Sequence, residues 1–263
     1  MIELNATPVS APDSRSAAEE FERGMSCYEK QDYAGAIGLF MRAAERGNAS
    51  AQFNLGFMYT LGQGVEQDYG RAVFWYRRAA DQGVVAAQGN LGVMYEKGQG
   101  VESDHAQAAF WYGKSAEQGN ASAQFNLGLM YTVGRGVAQD HALAVYWYRK
   151  AAETGFAPAQ ANLGLMHDTG QGVAQDARQA VHWYRKAAEQ GFASAQANLG
   201  VMLTLGEGIT EDIVEALMWF NLGAENGNEE ARQNRDVLKQ QMNRTEVAAA
   251  MRRTKKWLKA RGG

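Results

Sequence analysis

Gly62, Gly64 and Asp68 are the first residues whose types and spacing suggest chemistry. A glycine-rich turn can cradle a phosphate on its backbone N–H groups. The same Gly-x-Gly turn returns at 98, 134, 170 and 206, each time 36 residues on, with Asp104, Asp140, Asp176 and Asp212 following it. Every copy follows a helical pattern rather than a strand. Every copy also lacks the third glycine of a dinucleotide fingerprint and the Gly-Lys-Ser/Thr of a phosphate loop. The turn therefore reads as a connector: its first glycine ends one helix and its aspartate caps the next. Val65, Val101, Val137, Val173 and Ile209 are expected to fold back beneath it as apolar plugs.

Other reactive types are scattered. His105 and His141 follow the capping aspartate in two successive copies, and His167 stands where other copies have Tyr. No His-Glu-x-x-His or Gly-x-Ser-x-Gly is present, and no Cys/His group has zinc spacing. Cys27, the single cysteine, has no evident His partner and suits a small apolar role. These readings point away from an enzyme and call for no cofactor and no metal.

The elements that position these residues form a repeat. Trp75, Trp111, Trp147, Trp183 and Trp219 share the period of 36, as do Leu55-Gly56 and its equivalents through Leu199-Gly200. A fixed period of this length signals a solenoid. In "ASAQFNLGFMYTLG", Ala51, Leu55, Met58 and Tyr59 fall on one helical face. A glycine inside such a helix costs about 1 kcal/mol against Ala, so Gly56 implies a contact too close for a Cβ. The second helix of each copy begins at Asp68, and Ala72, Trp75, Tyr76, Ala79 and Gly83 are expected inward.

The 263 residues carry a net charge of −3, with 46% apolar and 21% charged residues. That is a globular composition with no electrostatic case for nucleic acid as a whole-molecule partner. The first residues have no basic start and no apolar run, so no secretory signal is read and a cytoplasmic location is expected, export by another route being the alternative. Residues 1–16 read as a disordered leader. Residues 17–47 read as a tetratricopeptide-like cap, 48–227 as five 36-residue repeats, and 228–263 as a C-terminal cap with a basic tail. That last segment holds ten Lys/Arg against four Asp/Glu. Val247, Met251, Trp257 and Leu258 are spaced for its closing helix.

The pattern A-x-A-Q-x-N-L-G-x-M-Y-x-x-G-x-G-V-x-x-D-x-x-x-A-x-x-W-Y-x-x-A-A-x-x-G closely resembles the Sel-1-like repeat, a relative of the tetratricopeptide repeat. The resemblance implies an all-α, right-handed α/α solenoid of helix–turn–helix repeats. It also implies a scaffold for protein complexes without chemistry of its own.

On that reading the first helices line a concave groove, and their outward residues are the candidate partner contacts: Phe53, Asn54 and Phe57; Asn90 and Val93; Phe125, Asn126 and Leu129; Asn162 and Leu165; and Asn198. The expected partner is a protein or an extended peptide. The asparagines can pair with a peptide backbone, or form a ladder between repeats. The same alternatives hold for Gln52, Gln88, Gln124, Gln160 and Gln196. Phe53 and Phe125 can be contacts or packing. Phe74, Phe110, Tyr146, His182 and Met218 on the second helices are either a second contact ridge or packing against the next helix. Two readings compete with the scaffold: a binder of a small ligand or cell-wall component, or a hydrolase, in the same groove; and capture of nucleic acid or an anionic membrane by the basic tail. Oligomeric state stays open.

Overall fold

The structure, a computed structural model, describes residues 16–261. Of the expected leader only Ser16 lies within this range, where it caps the first helix; residues 1–15 lie outside it. The described residues form helices and no strands. None of the helices is long and apolar enough to cross a membrane.

The chain divides into two compact units at Asp104/His105. The first holds α1 (Ala17–Glu29), α2 (Tyr33–Glu45), α3 (Ala49–Leu61), α4 (Tyr69–Asp81) and α5 (Val85–Lys97). The second holds α6 (His105–Glu117), α7 (Ala121–Val133), α8 (His141–Glu153), α9 (Ala157–Thr169), α10 (Ala177–Glu189), α11 (Ala193–Leu205), α12 (Ile213–Glu225), α13 (Glu229–Gln241) and α14 (Arg244–Arg261). The architecture is an all-α solenoid of helix–turn–helix repeats. Within each unit, successive helices pack as hairpins, α3 with α4 and α9 with α10 for example, and each hairpin packs on its neighbour.

Local chemistry sets the helix ends. Asp68, Asp140, Asp176 and Asp212 accept from first-turn backbone N–H groups, as Asn48 and Asn120 do for α3 and α7. Each satisfies a donor the helix cannot pair internally. Gly62, Gly134, Gly170 and Gly206 end first helices in the left-handed conformation.

The second glycine of the turn has a different task. A Cβ on Gly64 would lie 2.6 Å from the carbonyl oxygen of Tyr33, the first residue of α2. In the second unit Gly136, Gly172 and Gly208 meet the backbones of His105, His141 and Ala177 in the same way. The turn of one hairpin thus rests on the backbone that starts the second helix of the hairpin before it. The Gly-x-Gly spacing is a stacking device.

Inside five of the hairpins a mid-helix glycine receives an aromatic ring. A Cβ on Gly56 would sit 2.6 Å from the Tyr76 ring, and Gly128, Gly164 and Gly200 face Tyr148, Tyr184 and Phe220 likewise. The N-terminal hairpin repeats the arrangement with Gly24 and Phe40. Burying a large aromatic side chain contributes roughly 1.5–3 kcal/mol, and only a glycine opposite leaves the ring room.

Hairpins are joined by buried glutamines. Gln52 Nε2 donates to the Ala44 carbonyl at 3.0 Å and Gln88 to that of Ala80 at 3.1 Å. In the second unit Gln124, Gln160 and Gln196 donate to Ala116, Ala152 and Ala188. The amide oxygens of Gln52, Gln160 and Gln196 accept in turn from Gln82, Gln190 and Asn226. Of the two ladder candidates in the sequence, glutamine joins backbone to side chain across hairpins.

Three positions expected inward, Gly83, Met251 and Leu258, are exposed instead. Val73 and Ala80 are buried on α4 in place of Gly83. Of the second-helix positions that could form a ridge or pack, Met218 packs: it is buried where α14 covers α12. The packed face of α14 runs through Val247, Ala250, Thr254 and Trp257, with Trp257 edge-on to Trp219 at 6.0 Å.

Candidate functional site

The first helices expose what the buried pattern leaves over. In the first unit, Phe53 and Phe57 stack on one another at 6.5 Å, and Phe53 also leans on Tyr76 at 5.8 Å. Both are half-buried, as is Val93 on α5. In the second unit, Phe125 packs between Tyr148 and Phe156, with ring centroids 5.9 and 5.6 Å away. Phe53 and Phe125 are therefore held by neighbouring helices while keeping an open edge. Leu129 and Leu165 are more open, at 37% and 42% exposure.

The asparagines are half-buried and tied into the array. Asn162 and Asn198 reach the hydroxyls of Tyr148 and Tyr184 on the hairpin before them, and Asn90 does the same to Tyr76 in the first unit. Each hydroxyl also meets its own hairpin: Thr60 at 3.3 Å, Thr132 at 2.9 Å and Asp168 at 3.4 Å. Burial pushes all three phenols above their ordinary range, and for Tyr184 the nearby Asp168 carboxylate pushes the same way. Asn54 follows Phe40, which has no hydroxyl. Its amide donates instead to the Ser50 carbonyl of its own helix at 2.9 Å. Asn126 is half-buried on α7.

The aliphatic positions form rows that sequence reasoning left incomplete. Leu129, Leu165, Val201 and Val237 occur at the same 36-residue register on α7, α9, α11 and α13. One turn further along, Val133 and Leu205 are also exposed. Where α11 meets α13 the surface dips into a hollow of about 220 Å³ lined by Val201, Leu205, Val237 and Gln241, with Phe220 at its base. The register of Asn234 and Val237 was the available signal; it is masked because the helix bearing them is not followed by the Gly-x-Gly turn.

The second helices carry a different surface. Phe110 and Tyr146 are exposed, each edge-on to the tryptophan beside it and each capped by a lysine, Lys114 or Lys150, at 5.2 and 5.3 Å from the ring centre. His182 and Phe74 repeat the aromatic pairing with Trp183 and Trp75. Among the described residues, no three His, Cys, Asp or Glu side chains converge as a metal site would require.

The family model for the Sel1 repeat matches six times, at residues 17–48, 49–84, 85–120, 121–156, 157–192 and 193–228. No curated protein matches the chain. Among solved structures, a protective antigen of uropathogenic Escherichia coli strains with an SLR fold is 36% identical over 92% of this chain, with a TM-score of 0.83. This chain spans 52% of that antigen's length. A Sel1 repeat protein from Oxalobacter formigenes is 38% identical over 81% of this chain and 88% of its own, with a TM-score of 0.77. The chain belongs to the Sel1 repeat family.

Proposed function

We propose that this protein is a binding scaffold that holds a segment of a partner protein against the first-helix face, and that it performs no reaction. Sel1 repeat proteins are generally protein-interaction scaffolds, which supports the reading at the level of the family. The observation that carries it for this chain is the aliphatic row Leu129, Leu165, Val201 and Val237 on α7, α9, α11 and α13, with Val133 and Leu205 exposed beside it on α7 and α11. Contiguous exposed apolar surface on a folded protein marks an interaction site more often than an accident of packing. The contact residues are Leu129, Leu165, Val201 and Val237, with Phe125 at the margin. In the first unit, taken by itself, Phe53, Phe57 and Val93 are the corresponding contact residues. Asn90, Asn162 and Asn198, tied to the tyrosine of the preceding hairpin, line the same face.

The test is affinity capture from the native cell with the wild-type chain and a Leu129→Lys/Leu165→Lys variant. Both side chains are open and lysine is a good helix former, so the fold should persist. A partner retained by the wild type and lost by the equally helical variant supports the proposal. The same partner on both chains contradicts it.

A further inference from the structure

The hollow between α11 and α13 departs from the pattern set by the hairpins before it. In the second unit Tyr148 and Tyr184 lie over Gly128 and Gly164, and each hydroxyl is held from two sides. Thr132 Oγ1 lies 2.9 Å from the Tyr148 hydroxyl and itself donates to the Gly128 carbonyl. A threonine has one proton to give, so the phenol donates to Thr132. Asn162, on the next first helix, donates its amide N–H to the same phenol oxygen. One acceptor and one donor thus bracket a hydroxyl, the group that answers both.

The hairpin of α11 and α12 keeps the bracket and loses the hydroxyl. Position 220, 36 residues after Tyr184, is Phe. Thr204 stands at the place of Thr132, and its hydroxyl again donates to a glycine carbonyl, that of Gly200, at 2.8 Å. Asn234 stands at the place of Asn162. Both line the hollow, with Phe220 at its base. Val201 and Val237 take the register held elsewhere by the larger Leu129 and Leu165, which leaves more room above the ring. The resulting space of about 220 Å³ exceeds the roughly 150 Å³ in which an apolar cavity takes up a benzene ring.

The lining selects by chemistry as well as size. None of the residues around the hollow is charged, so a carboxylate or ammonium would lose water there without gaining a counter-ion. A carbonyl accepts from Asn234 but offers Thr204 no proton. Serine and threonine carry a hydroxyl without a body to fill the space, and phenylalanine has the body without the hydroxyl. The hollow also opens on the aliphatic row, since Val201 and Val237 belong to both.

Resting on the scaffold reading above, we infer that this hollow receives a tyrosine side chain of the partner segment. Its ring lies over Phe220, and its hydroxyl donates to Thr204 and accepts from Asn234.

The experiment is an NMR titration of the full-length chain with p-cresol and N-acetyltyrosinamide, each against its counterpart without the hydroxyl, toluene and N-acetylphenylalaninamide. Asn234→Ala and Phe220→Tyr are titrated in parallel, with circular dichroism confirming that both fold. Phe220→Tyr supplies the hydroxyl from beneath, as Tyr148 does. In the wild type each hydroxyl-bearing probe should bind at least about threefold more tightly than its counterpart, the scale of one net hydrogen bond. Asn234→Ala should remove that preference while toluene still binds. Phe220→Tyr should remove it too and raise the melting temperature. No preference in the wild type, or one that survives both variants, would overturn the inference. Binding of p-cresol but not of N-acetyltyrosinamide would overturn the partner side chain as occupant, in favour of a free small phenol. Each of these outcomes is separate from the capture test at Leu129 and Leu165, so the scaffold reading stands or falls on its own.

Discussion

Gly164 on α9 lies so close beneath Tyr184 on α10 that a Cβ there would sit 2.7 Å from the ring. Tyr184 is fully buried. Alanine at 164 gains about 1 kcal/mol of helix propensity but overpacks the ring, which typically costs 1–3 kcal/mol or roughly that. Because Tyr184 is closed in on all sides, the clash should win. Gly164→Ala is expected to lower stability by roughly 1–2 kcal/mol in urea denaturation. Gly113 is the control, since a Cβ on it meets nothing within 4 Å. Gly113→Ala should stabilise by about 0.5–1 kcal/mol. If both substitutions stabilise, the glycine–ring contact is not limiting.

Gln160 joins two hairpins through one side chain. It donates to Ala152 at 3.1 Å and accepts from Gln190 at 2.7 Å. Gln160→Leu keeps the volume but removes both hydrogen bonds, each contributing about 0.5–1.5 kcal/mol net, while the Ala152 carbonyl keeps the Gly155 N–H. Repeat arrays are coupled mainly through such neighbour interfaces. The variant should therefore unfold at lower urea and with a broader transition. An unchanged midpoint would remove the glutamine ladder from the account of stability.

His167 gives the array a pH dependence. Burial, and then the nearby Arg149, hold its pKa below the ordinary histidine value, against a smaller opposing pull from Asp176. The unfolded chain therefore takes up the proton first. The stability contributed by neutral His167 is complete above about pH 6.5 and falls as pH drops from there through the lower folded-state pKa. His167→Tyr restores the residue found at Tyr59, Tyr95 and Tyr131. It should flatten the loss of stability between neutral pH and pH 5. Parallel pH profiles for the two chains would assign the acid sensitivity elsewhere.

The repeat period, the capping aspartates and the tight contact at Gly56 could be read from residues alone, because each rests on local spacing or on one misplaced glycine. The task of Gly64 could not. Its neighbour is the backbone of a residue whose side chain varies freely, Tyr33 in one copy and His141 or Ala177 at equivalent places. Gln52 and Asn54 recur equally well, and only the direction each side chain takes separates the rung at Gln52 from the tyrosine contact at the Asn54 positions. Met251 and Leu258 lie seven apart and suggest a buried stripe. However, α14 is packed through Ala250 and Thr254 on α12, so that stripe faces out.

Hydroxyl-radical footprinting of the chain with and without its captured partner tests the central claim most directly, because the two faces carry their own reporters. Leu129, Leu165 and Leu205 are exposed on first helices, and Phe110 and Tyr146 on second helices. The partner should slow oxidation of the three leucines and leave the two aromatics unchanged. Protection of Phe110 and Tyr146 with the leucines still reactive would contradict it.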